Sequence, residues 1–287
     1  MAIDPRIIAL YDEYTHAPLD RRVFLDRLAR LAGGAAAAAA LLPVLEPNHA
    51  LARTVPPDDP SIRAERAAVP AGDGQLPGYL AVPTKAERSG AVVVVHENRG
   101  LNPHIEDVAR RLAKAGFIGF APDLLAQLGG TPKDADEARG MFARLDARRV
   151  QSDLKAAIRF LETHPASNGK VGAVGFCWGG GTVARLATDA PDLDAAIVFY
   201  GPAPDSEAVG GIQAPLLLHY ASLDTRINAG LPAFESALQA AGKRYRLHMY
   251  EGVNHAFHND TGGERYNAEA AGLAWDRTLA FLRETLA

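Results

Sequence analysis

The chain has one cysteine, little net charge and no long apolar run. Each of these features excludes a class of protein. A single cysteine cannot form a disulfide within the chain. No apolar stretch approaches the ~20 residues that a membrane-spanning helix needs. The net charge is −4 with both signs interspersed, so there is no basic stripe for nucleic acid or an acidic membrane surface. What remains is a globular protein of 287 residues with enough apolar content for a sizeable core.

Residues 1–52 differ in kind from the rest of the chain. Residues 20–25, Asp-Arg-Arg-Val-Phe-Leu, resemble the motif of twin-arginine export signals, and an alanine run at 35–40 follows. Ala50-Leu51-Ala52 then has the form of a cleavage site. This order predicts a bacterial signal peptide at 1–52, a linker at 53–67, and a periplasmic or secreted protein. The alternative is a cytoplasmic protein that retains an N-terminal helix, because the stretch before the arginines is long and partly acidic.

From residue 68 to 287, apolar runs of strand length alternate with helical patterns. The alternation predicts one α/β domain with a mostly parallel central sheet and helices on both faces. Strands are expected at 78–82, 91–95, 117–122, 171–174, 195–200, 215–220 and 245–250. Helices are expected at 104–116, 134–147, 150–164, 179–190, 230–242 and 264–285.

The only cysteine lies in a glycine-framed turn between a predicted strand and a predicted helix. Residues 174–181 read Val-Gly-Phe-Cys-Trp-Gly-Gly-Gly, a G-x-C-x-G pattern centred on Cys177. It has the form of a nucleophile elbow with sulfur in place of the usual serine oxygen. The N-terminus of the following helix favours a thiolate. A buried structural cysteine is the alternative, but the glycine frame favours a nucleophile.

Two further reactive residues follow later strand ends. Asp224 comes after the run 215–220, and His255 comes after 245–250. The chain order nucleophile, acid, histidine is that of α/β-hydrolases. His255 would accept the thiol proton and return it to the leaving group, while Asp224 would orient the imidazole. Alone, Asp224 could be a loop-capping residue and His255 a loop histidine.

The loop after the strand 91–95 supplies the remaining candidates. In this fold the loop gives one backbone N–H to the oxyanion hole, which we assign to Asn98, and Trp178 gives the other. Glu97 is an unusual carboxylate at such a place and could tune the protonation of the thiol. Its alternative role is an ion pair with Arg99.

These residues resemble the dienelactone hydrolase (carboxymethylenebutenolidase) family from about residue 68 onward. The elbow at 175–180 looks like the family's G-[FY]-C-x-G-G, and Asp224 and His255 fall at its acid and base positions. The resemblance implies the α/β-hydrolase fold and a Cys-His-Asp hydrolase. It also implies that Glu97 exchanges between the resting thiol and an arginine when substrate binds.

The resemblance weakens where the founding members bind a substrate carboxylate. Asn259 stands at one of the two arginine positions of that clamp, and the other position has no clear counterpart, although Arg139 is near. Arg99, Trp178 and Asn259 remain the candidates for substrate binding. We therefore expect neutral esters or lactones to be processed at least as well as dienelactone.

The leading interpretation is hydrolysis of a small ester or lactone through a thioester, without cofactor or metal. A thioesterase or general esterase with another acyl preference is the alternative. A metal-dependent hydrolase using His255 and His258 lacks a third ligand nearby in sequence. A non-catalytic binding protein on this fold is a further alternative. The sequence leaves the oligomeric state open.

Overall fold

A computed structural model describes residues 3–17, 19–48, 54–72, 74–85 and 88–287. Within these ranges, eight strands form one sheet in the order β1-β2-β4-β3-β5-β6-β7-β8. The strands are β1 (Ile62–Ala71), β2 (Gly74–Pro83), β3 (Ser89–Val95), β4 (Ile118–Pro122), β5 (Ser167–Phe176), β6 (Ala195–Phe199), β7 (Leu216–Ala221) and β8 (Tyr245–Tyr250). The pairs β1–β2 and β2–β4 are antiparallel, and all other neighbours are parallel. The predicted mostly parallel sheet is confirmed.

Strand β3 shows why the sheet has helices on both faces. Its run of valines is fully buried, and side chains alternate between the two sides of the sheet. Val93 and Val95 belong to one apolar cluster, whereas Val92 and Val94 belong to the other. A continuous apolar strand therefore feeds two cores, as expected for a doubly covered sheet.

Most of the helices that follow the N-terminal segment begin after a residue whose side chain caps the first turn. Before the first of them, the side chain of Asn102 accepts hydrogen bonds from the backbone N–H groups of His104 and Ile105, and Pro103 occupies the first helical position. The helices are α4 (Pro103–Lys114), α5 (Ala135–Met141), α6 (Ala147–Glu162), α7 (Trp178–Asp189), α8 (Thr225–Asn228), α9 (Leu231–Ala240) and α10 (Ala268–Leu286).

Strand β1 begins inside the range 53–67 that the sequence predicts as a linker. Polar residues such as Arg63 and Glu65 alternate with apolar ones along it, and only a few of its positions are buried. β1 lies at the edge of the sheet and pairs only with β2, and most of its positions are exposed or half-buried. An edge strand of this kind lacks the continuous apolar run on which the prediction relied.

The N-terminal segment, residues 3–17 and 19–48, forms three helices with an apolar cluster of their own. They are α1 (Pro5–His16), α2 (Arg21–Ala32) and α3 (Ala35–Leu45). Tyr14 and Phe24 are stacked at the centre of the cluster, with ring centroids 4.3 Å apart. The predicted cleavage site at 50–52 lies outside the described residues.

The twin-arginine pattern occupies the first turn of α2. The side chain of Asp20 accepts a hydrogen bond from the backbone N–H of Arg22, and Gly33, with φ +85°, caps the helix after its last residue, Ala32. No single described helix is long and apolar enough to cross a membrane. Helices α2 and α3, which meet at 110°, satisfy that criterion only when taken together.

Candidate active site

Cys177 lies between β5 and α7 in a strained backbone conformation. Its φ is +56° and its ψ is −117°, a region that non-glycine residues seldom occupy. A Cβ atom at Gly175 would lie 2.1 Å from the carbonyl oxygen of Gly179. A Cβ at Gly179 would lie 2.4 Å from the carbonyl oxygens of β3 and the residue after it. The glycines therefore permit the tight strand-to-helix turn that exposes a nucleophile at the sheet edge.

Asp224 and His255 meet each other beside this turn. Asp224 follows β7 and caps α8, while His255 follows β8, and both side chains are buried. The Nδ1 atom of His255 lies 2.5 Å from Oδ2 of Asp224. The other ring nitrogen, Nε2, is buried and has no hydrogen-bond partner among the described residues. The sulfur of Cys177 lies within 4.8 Å of the histidine, on the side left open by the aspartate.

The charges around Cys177 favour a thiolate beside an imidazolium. Burial raises the pKa of the thiol, but the positive charges of His16 and His255 outweigh burial and lower the pKa of Cys177 to about 6. Burial in turn lowers the pKa of His255, whereas the thiolate and the hydrogen bond to Asp224 raise it above its ordinary value. The attraction between the sulfur and the imidazole of His255 contributes to both shifts, with His16 adding to the first and Asp224 to the second.

Glu97 and Asn259 form a buried pair near the sulfur. The amide Nδ2 of Asn259 donates to Oε2 of Glu97 at 2.8 Å. The other carboxylate oxygen, Oε1, is buried without a hydrogen-bond partner among the described residues. Arg99 lies 3.4 Å from Asp136 instead of pairing with Glu97. Asn259 therefore holds the carboxylate in place, a role that the sequence analysis did not assign to it.

The two residues assigned to the oxyanion hole flank the elbow. Trp178 is the first residue of α7, so its N–H is one of the helix-terminal amides that lack an intrahelical acceptor. Asn98 follows β3 and lines the same small cavity as Cys177. Its side chain donates to the carbonyl oxygen of Thr15 at 2.6 Å, which ties the loop to the N-terminal segment.

His16, at the end of α1, contacts the candidate nucleophile directly. Its Nε2 atom lies 3.2 Å from Sγ of Cys177, and its ring meets that of His255 edge to face at 4.5 Å. Nδ1 of His16 lies 2.8 Å from the carbonyl oxygen of Asp12 and 3.1 Å from its Oδ1. Sequence reasoning missed His16 because no local pattern links it to a cysteine 161 residues away.

The N-terminal segment covers the site through further polar contacts. The hydroxyl of Tyr14 donates to Asp136 at 2.6 Å, and Arg139 donates to the Tyr14 carbonyl while its guanidinium lies 4.2 Å from the tyrosine ring. Arg265, which the sequence analysis also missed, lies over the ring of Tyr11 at 4.8 Å. Arg139, which lies near an arginine position of the family's substrate clamp, therefore binds Tyr14 of the N-terminal segment in this structure.

The space next to Cys177 is too small for an ester. The cavity that the sulfur lines has a volume of about 20 Å³, and Arg99, Glu97 and Arg265 are also in its wall. A groove of about 470 Å³ lies along α1, and Cys177 is not among its lining residues. His16 and His255 line both spaces. His16 therefore stands between the groove and the sulfur.

His258 faces away from this site. Its ring is buried and stacks on Phe176 at 5.1 Å, with His104 at 6.2 Å on another side. Burial holds the pKa of His258 well below its ordinary value, so the ring is neutral. Among the described residues, the group that could hold a metal ion is His16, Cys177 and His255, without His258.

A mostly parallel sheet, a strained turn after a central strand, and acid and histidine loops after later strands define an α/β-hydrolase. The model of the dienelactone hydrolase family matches residues 76–286. The chain belongs to that family and is a hydrolase of the carboxylic ester class. A separate model, called YqhI-like, matches residues 1–34, so the N-terminal segment resembles a family of its own.

Relatives of known sequence and structure agree with this assignment. A protein of Saccharolobus solfataricus named "Putative carboxymethylenebutenolidase" is 35% identical over 246 residues, covering 73% of this chain and 94% of the relative. A Bradyrhizobium protein named "Probable 2-oxo-3-(5-oxofuran-2-ylidene)propanoate lactonase" is 35% identical over 226 residues, covering 74% and 90%. A crystal structure from Klebsiella pneumoniae, of a "Putative Dienelactone Hydrolase", superposes with a TM-score of 0.72 at 28% identity. It covers 78% of this chain and 99% of that one.

Proposed function

We propose that this hydrolase cleaves a carboxylic ester or lactone through a thioester on Cys177. The observation that carries the proposal is the convergence of Cys177, in its strained turn, with the His255–Asp224 pair at 2.5 Å. These residues come from three separate strand ends, and the pair leaves one imidazole nitrogen free on the side of the sulfur. Nucleophile, base and orienting acid are thereby available in one place.

The reaction would proceed in two acyl transfers. The sulfur of Cys177 attacks the carbonyl carbon, and the N–H groups of Asn98 and Trp178 stabilise the negative oxygen. The C–O bond to the leaving alcohol breaks as protonated His255 donates its proton to the alkoxide, which leaves a thioester. Water then attacks the thioester, His255 takes a proton from it, and the acid and the thiolate are released.

Turnover by a chain that retains its N-terminal segment also requires that segment to move, whereas a chain cleaved near residue 53 would lack this cover. A cavity of about 20 Å³ holds little more than one water molecule, whereas binding sites for small molecules span roughly 300 Å³ or more. Displacement of His16 would join the cavity to the groove of about 470 Å³ along α1. We infer that a closed state, held by α1, alternates with an open state in which an ester reaches the sulfur.

A lactone is the preferred substrate class in this proposal. The Bradyrhizobium relative carries a lactonase name, and it aligns over 90% of its length. A ring-opened lactone keeps its leaving alcohol within the acyl chain, so one product leaves the enzyme. Thioesters and open-chain esters are the alternatives, and a substrate panel separates them.

The test compares the wild-type protein with Cys177→Ala and His255→Ala on lactones, activated esters and thioesters of increasing acyl length. Each of these two variants should lose ~10⁴-fold or more in kcat, because the residues of a catalytic triad act together and the loss of one removes most of the rate enhancement. An activated ester should leave an acyl adduct on the wild type, located at Cys177 by mass spectrometry. His164→Gln, in the loop between α6 and β5, serves as the matched control. Wild-type turnover by folded Cys177→Ala would refute the proposal.

A further inference from the structure

We propose that Cys177, His16 and His255 form a binding site for a divalent transition-metal cation of the Zn²⁺ type, which fastens the N-terminal segment over the nucleophile. The sulfur and one ring nitrogen of each histidine lie within 4.8 Å of one another. Typical Zn–S and Zn–N bond lengths in a tetrahedral site place ligand atoms ~3.5 Å apart. The sulfur and Nε2 of His16 are already 3.2 Å apart, so small side-chain movements would complete the site.

In both histidines, one ring nitrogen is hydrogen-bonded to an aspartate and the other is left available to a metal ion. Nδ1 of His255 is bound to the carboxylate of Asp224 at 2.5 Å. Nδ1 of His16 contacts the carbonyl oxygen of Asp12 at 2.8 Å and its carboxylate at 3.1 Å. Each aspartate leaves the opposite ring nitrogen directed at the sulfur. An outer carboxylate or carbonyl that fixes the tautomer of a ligating histidine is a regular feature of metal sites.

The fourth coordination position would open into the small cavity. Its volume of about 20 Å³ is enough for one water molecule. Glu97 lines this cavity, and its Oε1 is buried without a hydrogen-bond partner among the described residues. A thiolate, two neutral imidazoles and a divalent cation leave one positive charge, which the carboxylate of Glu97 offsets. Cysteine and histidine are the ligands that select zinc-like cations over calcium or magnesium.

The proposed ligands belong to both parts of the protein. His16 comes from α1 in the N-terminal segment, while Cys177 and His255 come from loops of the catalytic domain. The bound cation would therefore join the two parts and occupy both the proposed nucleophile and the proposed base. Metal binding itself rests on the geometry alone, and only its inhibition of turnover rests on the proposed function. The sequence predicts no metal because no third ligand lies near His255 and His258 along the chain, whereas His16 is brought to the site only by the fold.

Cobalt provides a direct test, because a thiolate bound to Co²⁺ absorbs in the near ultraviolet. The full-length protein is reduced, freed of metal with a chelator and titrated with Co²⁺. We expect one equivalent to bind with a sulfur-to-cobalt band and tetrahedral visible bands, and Zn²⁺ to displace it. Asp12→Asn should weaken binding by ~10–100-fold, the usual cost of losing an outer partner. His16→Gln should weaken it further, and His164→Gln should match the wild type.

A second measurement reports whether the cation fastens the segment. Zn²⁺ should slow both the alkylation of Cys177 and limited proteolysis between the segment and the catalytic domain. Both effects should be weak in His16→Gln, with circular dichroism confirming its fold. Absence of a sulfur-to-cobalt band, or equal affinity of the wild type and both His16→Gln and Asp12→Asn, would overturn the proposal. If the protein binds cobalt in this way but hydrolyses no ester, the metal site stands and the proposed function fails.

Discussion

At the residue scale, Glu97 is the candidate for tuning the thiol, because its buried carboxylate lines the same small cavity as Cys177. The groups that line the cavity with Cys177 include Glu97, His16, His255 and two arginines. The histidine charges lower the pKa of Cys177 to about 6 against its burial. A carboxylate acts in the opposite direction and disfavours ionised sulfur. Glu97 is therefore the residue whose removal should release the thiolate further, and Asn259 holds it in place.

Glu97→Gln should move the midpoint of Cys177 alkylation to lower pH by about 1 unit, because a neutral amide no longer opposes the thiolate. The amide can still accept the hydrogen bond from Asn259, so the site should keep its shape. Turnover should fall only partly. Iodoacetamide rates measured between pH 4 and 9 by mass spectrometry, with chelator present, provide the check. An alkylation profile identical to that of the wild type would show that Glu97 does not tune the thiol.

The position of Arg265 affects which substrate charge the site is expected to accept. Asn259 stands where the family's substrate clamp has an arginine, which predicts neutral substrates. The structure places Arg265 and Arg99 in the cavity wall, and Nε of Arg265 is buried without a partner among the described residues. An arginine can bind a carboxylate through two parallel hydrogen bonds. Arg265 could therefore neutralise the charge of an anionic acyl group, although it does not lie at either arginine position of the family's clamp.

Arg265→Gln separates these two expectations. If the arginine binds a substrate carboxylate, kcat/KM for an anionic lactone should fall by ~10–100-fold, corresponding to the 1.5–3 kcal/mol of a charged hydrogen bond. The value for a neutral lactone of the same ring size should change little. The ratio of the two lactones is measured for the wild type and the variant. An equal loss for both substrates would assign Arg265 a structural role, in keeping with its position over Tyr11.

At the scale of elements, the sequence predicted what depends on local pattern. Asp224 and His255 each follow a local strand pattern, and the valine run of β3 and the glycine frame of the elbow can be read within short windows. Strand β1 could not, because an edge strand with alternating charged residues has no continuous apolar run. The contact of α1 with the elbow also could not, because it depends on the packing of residues 161 positions apart.

The N-terminal segment should stay closed only while its own apolar cluster is intact. Phe24 is fully buried there against Tyr14, and no member of this cluster belongs to the clusters of the catalytic domain. Phe24→Ala should remove ~3–5 kcal/mol from the packing of the three helices. The closed state should then lose population, and substrates should reach Cys177 more readily.

The expected result for Phe24→Ala is faster alkylation of Cys177 and a higher kcat/KM for bulky esters, with the melting of the catalytic domain unchanged. Val23→Ala is the matched control, because Val23 lies on the same helix and is 42% exposed. Rates are measured with iodoacetamide and with esters of two sizes. Equal rates in both variants and the wild type would mean that α1 does not restrict access.

At the scale of the whole molecule, the chain combines a catalytic domain matched over 76–286 with an N-terminal segment matched by a different family model over 1–34. The segment has the order of an export signal in sequence and the contacts of a docked helical unit in the structure. The twin-arginine route carries folded proteins, so the chain can fold with the segment docked before export, and cleavage would then remove α1 and His16. A docked segment would have to detach for export, and its detachment would also uncover Cys177.

Export remains our prediction for this chain, and the arginine pair is the place to test it. Arg21 lies 2.5 Å from Asp136, whereas Arg22 is exposed on the first turn of α2. Replacement of both arginines by lysine should keep the protein in the cytoplasm of its native cells, because the export motif requires the pair. Arg27→Lys, on the same helix but outside the motif, should leave export unchanged. Cell fractions and N-terminal sequencing of the wild type should show a periplasmic chain that begins near residue 53. A chain that begins at residue 1 or 2 and is found only in the cytoplasm would refute export, and the N-terminal segment would then be a permanent part of the enzyme.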